Sequence, residues 1–351
     1  MNTKTKKFLV ISVAATLVLS MTAVSAGAAT SKKLSGSLTF VAWGGAGQDK
    51  QIAGWLKPFT KKTGVTFKTD SPSNPAKVKA MVEAGKTTWD IIDLDPPEAS
   101  AACGTLYTKR PAGFDMSEIN PKYIVDACGV PVMGQTVALV YNKAKFGSNP
   151  PTAITDFLDL NKFPGQRLAF NYWVGAAELL LMADGVSPSK VYPLDWTRLN
   201  TVVKGLGSNL TFQNSLDEAS QAMESGNFSM CLCFLGRAGL SAQNGAKIGV
   251  VWDKVSTGWD QLYAIKGSKN PTAQWSFLQY IATSAGQNPY YKLQPYSTTT
   301  KTAVTGMPSA FKPFIPENNK SKIGTNLLWD MKYLTNDAAN IADQWTKLTS
   351  G

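Results

Sequence analysis

Histidine is absent from the 351 residues of this chain. Without it there is no serine–histidine triad, most zinc sites lack a ligand, and the commonest general base is missing. The sequence also has no G-x-S-x-G, no P-loop and no G-x-G-x-x-G after a strand. The catalytic alternative that remains is a carboxylate-dependent hydrolase, for which Asp93, Asp95 and Glu98 lie close together in the sequence.

Cysteine is scarce, with four residues in the chain. In an exported protein, Cys103 and Cys128 have a spacing that suits a disulfide closing a short loop. Cys231 and Cys233 are expected on opposite faces of a strand, which would prevent a bond between them. With no histidine, these spacings do not suit a zinc site, and we expect neither a metal nor a cofactor.

Long apolar runs are missing after the N-terminus. There, three lysines precede the uncharged, mostly apolar run 8–26, which closes in small residues. This pattern is typical of an export signal, so residues 1–28 are predicted to be a leader and the protein to be periplasmic or otherwise extracytoplasmic. A retained membrane anchor is the alternative, because the run approaches the length of a span.

An excess of acidic residues is also lacking, since 35 Lys and Arg face 24 Asp and Glu and give a net charge of +11. Removing the leader takes away three lysines and no acid, which leaves 32 minus 24, or +8. The lysines are scattered, without an arginine-rich block or a basic–aromatic repeat. We interpret the charge as solvated surface and expect no nucleic-acid partner.

A strand pattern is present at 38–43 and breaks into a glycine turn that would let a ligand approach the backbone. Helical and strand patterns then alternate up to WDIIDL at 89–94, which predicts a β-α-β-α-β unit of a parallel, doubly wound sheet. Ligands bind outside the carboxyl ends of such strands. Trp43, Gly44, Gly45 and Asp95 stand at those ends and are candidate binding residues.

The segment VPVMGQTVALVYN at 130–142 is a long apolar strand that suits a crossing between two lobes. Its polar step, Gln135 and Thr136, either faces a ligand or lies in an ordinary core strand. Further strand patterns at 168–170, 210–213, 228–234, 247–252 and 261–265 predict a second α/β set, with 257–260 between the last two strands. The length of the chain suits two domains.

The order of eight segments resembles ABC-transporter solute-binding proteins of the spermidine/putrescine-binding type: VAWGG, PFTKKTGV, KVKAMVEAGKTTWDIIDLD, ALVYN, DFLDLNKFPGQR, KVYPLDWTRLN, GRAGLSAQNGAKIGVVW and YAIKGSKN. The resemblance implies a two-lobed α/β fold of the type II periplasmic-binding-protein kind, each lobe a doubly wound mixed sheet, joined by two hinge crossings. It places lobe one at 35–139 and 262–308, and lobe two at 140–261 and 309–351. It also implies a monomer that is not an enzyme and that delivers a small solute to a membrane permease.

In the polyamine-binding members of that family, aromatic rings enclose the methylene chain and acids hold the ammonium groups. Trp43 and Trp259 match two of the aromatic positions in the cleft. Phe234 replaces a tryptophan, and Tyr296 falls on a further aromatic position.

The acids of the family pattern do not carry over. Gln261 stands where the pattern has an acid before the hinge strand, with Asp260 one residue earlier. Tyr172 and Gly175 stand where the pattern has two acids at the start of a second-lobe helix.

Two interpretations of the solute therefore stay open. In the first, Asp95 or Asp260 has taken over ammonium recognition, and the solute is a polyamine-like organic amine. In the second, Arg237 pairs with the carboxylate or phosphonate of a zwitterionic or anionic solute, for which its planar fork is suited. A surface salt bridge is the structural alternative for Arg237.

Overall fold

The structure is a computed structural model that describes residues 1–2 and 34–350. The choice between a cleaved leader and a retained anchor concerns residues outside that range. Within the described residues, none of the helices combines the length and the apolar character needed to span a bilayer.

In the described part of the chain, ten strands form a single mixed sheet. They are β1 (Ser37–Val41), β2 (Thr66–Asp70), β3 (Ile91–Leu94), β4 (Val130–Asn142), β5 (Arg167–Phe170), β6 (Leu210–Gln213), β7 (Met230–Phe234), β8 (Ile248–Ala264), β9 (Ser297–Thr298) and β10 (Thr325–Leu328).

Helices cover the faces of the sheet. They are α1 (Gly45–Gln51), α2 (Lys57–Thr63), α3 (Pro75–Glu83), α4 (Pro96–Ala101), α5 (Lys143–Phe146), α6 (Trp173–Ala183), α7 (Trp196–Leu206), α8 (Leu216–Ser225), α9 (Leu235–Gln243), α10 (Pro271–Ile281), α11 (Ser284–Tyr291), α12 (Met331–Asn336) and α13 (Ala338–Ser350). A π-helical turn, Ile52–Leu56, joins α1 to α2 in one continuous helical run.

The main path of the sheet is β2-β1-β3-β8-β4-β7-β5-β6, with β9 added to β4 and β10 to β8. β1 pairs in parallel with β2 and β3, which confirms the parallel opening unit predicted from the sequence. β5 likewise pairs in parallel with β6 and β7. We call the part around β1, β2 and β3 the first half and the part around β5, β6 and β7 the second half.

Two long antiparallel strands, β4 and β8, connect the halves. β8 is one strand of 17 residues, so the prediction of two strands separated at 257–260 is wrong. The physical reason is pairing: Thr257 to Asp260 lie opposite Thr136 to Met133 of β4, and this segment contains no proline. The polar step at Gln135 and Thr136 therefore lies where the two connecting strands run side by side.

Each half has its own apolar core. In the first half Phe40, Trp55 and Phe277 are fully buried in one cluster. In the second half α6 is buried along its whole length and packs with Trp345 of α13. These cores hold the strand ends in place on either side of the space between the halves.

Both cysteine pairs are close enough to bond. The sulfur atoms of Cys103 and Cys128 lie 2.03 Å apart, with their Cα atoms 5.7 Å apart. Cys231 and Cys233 are also paired, and the expectation that they point to opposite faces is wrong. Residues two apart on a strand share a face, so both side chains of this pair enter the same buried cluster.

Candidate functional site

Sheet register brings acids from distant parts of the chain together. Asp93 in β3 and Asp95, just after it, follow the parallel opening unit. β3 pairs antiparallel with the end of β8, with Leu94 opposite Gln261, and this places Asp260 beside them. We call Asp93, Asp95 and Asp260 the acid cluster. Their exposures are 0%, 4% and 2%, so all three carboxyls are buried between the halves.

Amide side chains hold the acid cluster. Gln135 Nε2 donates to Asp95 Oδ1 at 2.9 Å and also to Asp260 Oδ1. Gln51 Nε2 donates to Asp93 Oδ2 at 2.6 Å. The other oxygen of Asp93 has no hydrogen-bond partner among the described residues. None of the described lysines or arginines forms an ion pair with these three acids.

Burial without a cation raises the pKa of each acid in the cluster, because the charged form loses its hydration. The pKa of Asp93 rises to about 8, with the hydrogen bond from Gln51 opposing and Asp95 adding to the rise. That of Asp95 rises to about 6, and hydrogen bonds from Asp260 and Tyr172 oppose the rise. Burial also raises the pKa of Asp260 well above its usual range, and the other two acids add to it.

Aromatic rings form one wall of the same space. Trp43, which follows β1, approaches Tyr172 with ring centroids 5.8 Å apart. The ring centroid of Phe170, at the end of β5, lies 6.1 Å from that of Phe234, at the end of β7. We call Trp43, Phe170, Tyr172 and Phe234 the aromatic wall. Phe170 was missed by the sequence analysis, although it ends a predicted strand in the same way as Trp43.

Arg237 reaches across from the second half. It lies in the first turn of α9 and is 4% exposed. Its Nη1 contacts Asp217 Oδ1 at 3.2 Å, and its Nη2 donates to the Gly44 carbonyl at 3.3 Å. Gly44 has φ 81° and Gly45 has φ 59°, left-handed values that suit glycine and bare the backbone for this contact.

Tyr296 lies between the positive and negative groups. Burial raises the pKa of its hydroxyl, the Arg237 guanidinium beside it opposes the rise, and Asp260 and Asp93 add to it. The ring stacks on Tyr290 with centroids 6.1 Å apart and an interplanar angle of 12°. A cation, an aromatic ring and two acids therefore share one narrow space.

Three predicted residues lie on the other face of the sheet from the acid cluster. Side chains alternate along β4 and β8, so Thr136, Trp259 and Gln261 lie on the face opposite Asp260. The Thr136 hydroxyl lies 3.1 Å from that of Thr257. Trp259 packs edge-on against Tyr123, with ring centroids 5.2 Å apart. Gln261 Nε2 donates to the Tyr123 carbonyl at 3.5 Å.

Comparison with known proteins identifies the family. Residues 54–317 match the model of the family described as "Bacterial extracellular solute-binding protein". The gamma-aminobutyric acid-binding protein of Pseudomonas aeruginosa is 26% identical over 298 residues, which covers 82% of this chain and 84% of the relative.

Solved structures agree with the observed fold. AgtB, a periplasmic binding protein from Agrobacterium tumefaciens R10 solved with agropinic acid, superposes with a TM-score of 0.81 at 22% identity, covering 90% of this chain and 99% of AgtB. An ABC transporter substrate-binding protein from Bradyrhizobium japonicum USDA 110 gives a TM-score of 0.75 at 25% identity, covering 89% and 99% of the two chains. The two-lobed α/β fold predicted from the sequence is confirmed.

The chain belongs to the bacterial extracellular solute-binding protein family. Its relatives are solute-binding components of transporters and not enzymes, so the alternative of a carboxylate-dependent hydrolase has no support. The spermidine/putrescine-binding subtype and the exact limits of the lobes stay predictions.

Proposed function

We propose that this protein captures a small organic solute with a protonated amine between its two halves and passes it to an ABC permease in the membrane. The acid cluster would hold the ammonium group, and the aromatic wall would enclose the adjoining carbon chain. We further propose that the protein is exported through the predicted leader and acts as a monomer outside the cytoplasm.

The observation that carries this proposal is the buried acid cluster without a cation. A buried carboxylate is strongly disfavoured unless a positive group or several hydrogen bonds compensate its lost hydration. Among the described residues, the close polar partners of Asp93, Asp95 and Asp260 are Gln51, Gln135, the Tyr172 hydroxyl and one another. An ammonium group supplies both a positive charge and three N–H donors in one small volume.

Arg237 favours a solute of the amino-acid type over a polyamine. It lies in the same cleft as the acid cluster, and its buried Nε has no partner among the described residues. A second ammonium group at that end would face a guanidinium, whereas a carboxylate would gain charge-assisted hydrogen bonds. The similarity to a gamma-aminobutyric acid-binding protein supports the same choice.

A thermal-shift panel followed by calorimetry tests the proposal. The panel holds gamma-aminobutyric acid, other ω-amino acids, putrescine, spermidine, betaines and neutral alcohols of equal length. A ligand at 100 times its Kd stabilises the folded state by about 2.7 kcal/mol, which gives a clear melting shift. We expect ω-amino acids to give the largest shifts and neutral alcohols to give none.

Single substitutions separate the two ends of the solute. Asp95→Asn should weaken binding of every amine by about 1.5–3 kcal/mol, because a charge-assisted hydrogen bond is lost. Arg237→Gln should weaken only the solutes that carry a carboxylate. Asp343→Asn, on the exposed face of α13, is the matched control. Equal responses to alcohols and amines, or an Asp95→Asn variant with wild-type affinity, would contradict the proposal.

A further inference from the structure

A second cavity lies within the second half, at the far end of the strands that carry the aromatic wall. It has a volume of about 820 Å³ and is lined by α5 and the loop after it, by residues 162–165 and by Ser229. Phe170 and Phe234 stand at the carboxyl ends of β5 and β7, whereas residues 165 and 229 precede the amino ends of the same strands. These short strands separate the cavity from the cleft by about 13–17 Å.

The lining of this cavity is basic. Lys145 and Lys162 line it with exposed side chains, and none of the described lining residues is an acid. Lys162 Nζ lies 3.9 Å from Asp156 Oδ1, which is close to the outer limit of an ion pair. Lys145 forms no ion pair with any acid in the described part of the chain. We call this space the lysine cavity, and an anion that enters it meets one unpaired and one loosely paired ammonium group.

A buried hydroxyl group lies among the same lining residues. Ser229 is 1% exposed, and its Oγ has no hydrogen-bond partner among the described residues. Gly165 has φ 104° and lies so close that a Cβ added there would be 2.3 Å from this oxygen. Leaving a buried hydroxyl without a partner costs free energy. A ligand oxygen that accepts a hydrogen bond from Ser229 would recover that cost.

Two phenyl rings give the lysine cavity an apolar side. Phe146 and Phe163 pack edge to face, with ring centroids 5.4 Å apart and an interplanar angle of 86°. Lys162 Nζ lies 4.8 Å from the centroid of the Phe163 ring, so positive charge and apolar surface are adjacent. Small-molecule sites of about 300–1,000 Å³ commonly combine apolar walls with a few polar groups that fix orientation. A ligand that uses both parts of this lining carries a negative charge and an apolar body.

We propose that the lysine cavity is a second binding site, which takes a small organic carboxylate with an aromatic or alkyl body. The carboxylate lies between Lys145 and Lys162 and accepts a hydrogen bond from Ser229. The apolar body lies against Phe146 and Phe163. The cavity belongs to one half alone, so the site requires neither the amine in the cleft nor any particular arrangement of the two halves.

Calorimetry on the whole protein with benzoate, hexanoate, benzyl alcohol and inorganic sulfate tests the ligand class. We expect benzoate and hexanoate to bind, with an affinity that falls as salt screens the lysines. Benzyl alcohol lacks the charge and sulfate lacks the apolar body, so each should bind at least about tenfold more weakly. No binding of either carboxylate, or equal binding of benzoate and benzyl alcohol, would overturn the inference.

Variants locate the bound carboxylate. Lys145→Gln/Lys162→Gln should lower the affinity for benzoate by about 5- to 25-fold, up to about fivefold for each exposed charge. Lys79→Gln/Lys86→Gln is the matched control, because it removes two exposed charges from the first half. We expect the control to bind benzoate like wild type. Equal losses in the two double variants would show an effect of net charge alone and overturn the site.

Ser229→Ala separates binding from folding. It should lower the affinity for benzoate by about 3- to 10-fold, because one hydrogen bond to the carboxylate is lost. The melting temperature of the protein without ligand should stay unchanged or rise, since the hydroxyl removed has no partner among the described residues. Wild-type affinity for benzoate in Ser229→Ala would contradict the assigned hydrogen bond.

Arg237→Gln distinguishes the lysine cavity from the cleft, where a carboxylate could also bind. We expect this variant to keep its affinity for benzoate. Loss of benzoate binding in Arg237→Gln, with binding intact in Lys145→Gln/Lys162→Gln, would place the carboxylate in the cleft and overturn the inference. That result would leave the proposed function standing, because amine capture is measured independently with Asp95→Asn.

Discussion

The substitution Gly236→Ala should prevent full closure of the cleft without weakening either half. Gly236 lies in the first turn of α9, and a Cβ added there would overlap the ring of Tyr296. Tyr296 belongs to the apolar cluster of the first half, while α9 packs in the second half. The Tyr296 ring thus lies against the Gly236 backbone across the two halves, and we expect this contact to form when the halves come together.

The Tyr296 ring has little room to move away. It stacks on Tyr290, whose own ring lies 4.5 Å from that of Trp55. Inserting a methyl group into such a packed contact costs about 1–3 kcal/mol. Since the cost falls on the closed form, the affinity for solute should weaken by about 5- to 150-fold. The open form gains, because alanine is favoured over glycine within a helix by up to about 1 kcal/mol.

Calorimetry with the best amine of the panel measures this effect, and the melting temperature of the empty protein reports on folding. Gly205→Ala in α7 is the matched control, because nothing lies within 4 Å of an added Cβ there. We expect the control to bind like wild type and Gly236→Ala to bind weakly with an unchanged or raised melting temperature. Wild-type affinity in Gly236→Ala would refute the argument that this contact forms on closure.

Three further outcomes are expected. Cys103→Ala/Cys128→Ala removes a crosslink spanning 25 residues and should lower the free energy of unfolding in urea by about 3.5 kcal/mol; an unchanged midpoint would contradict the bond. Burial raises the pKa of Glu178 in α6 from 4.5 to about 7, so its contribution to stability falls as pH rises through that range. Glu178→Gln should then stabilise the protein at pH 8 by about 3 kcal/mol and change little at pH 4.5, which denaturation at the two pH values checks. Trp43→Ala should weaken amine binding by about 1–2 kcal/mol in calorimetry, because it removes one face of the aromatic wall.

Local pattern was sufficient for much of the fold. The apolar segments and glycine breaks located β1 and β3 to within about three residues at either end, and the parallel order followed from their alternation with helices. The rule that ligands bind at carboxyl strand ends selected Trp43, Gly44, Gly45 and Asp95 from the first hundred residues. What this reasoning could not supply was which distant segments lie opposite these ends.

Strand register accounts for what was missed. Asp260 reaches Asp95 because β3 pairs with the far end of β8, and a shift of one residue would bring Gln261 there instead. The same alternation places Gln135 at the acid cluster and sends Thr136 to the opposite face. Gln51, which holds Asp93, lies at the end of α1, and the sequence analysis did not select it. A polar residue on the buried side of that helix was the one available signal.

The acid cluster explains selectivity as well as affinity. A neutral solute of the same shape would fit between the aromatic rings. Closing on it, however, would leave the carboxyls of the acid cluster buried without a compensating cation. That cost opposes the wrong solute rather than rewarding the right one, which is how a small cleft discriminates strongly between amine and alcohol. Arg237 discriminates between solutes at the other end of the cleft. Its guanidinium gives up its contacts with Asp217 and the Gly44 carbonyl only for a solute whose anionic group offers better hydrogen bonds. Discrimination between an ω-amino acid and a diamine should therefore depend on Arg237, and discrimination between an amine and an alcohol on the acid cluster.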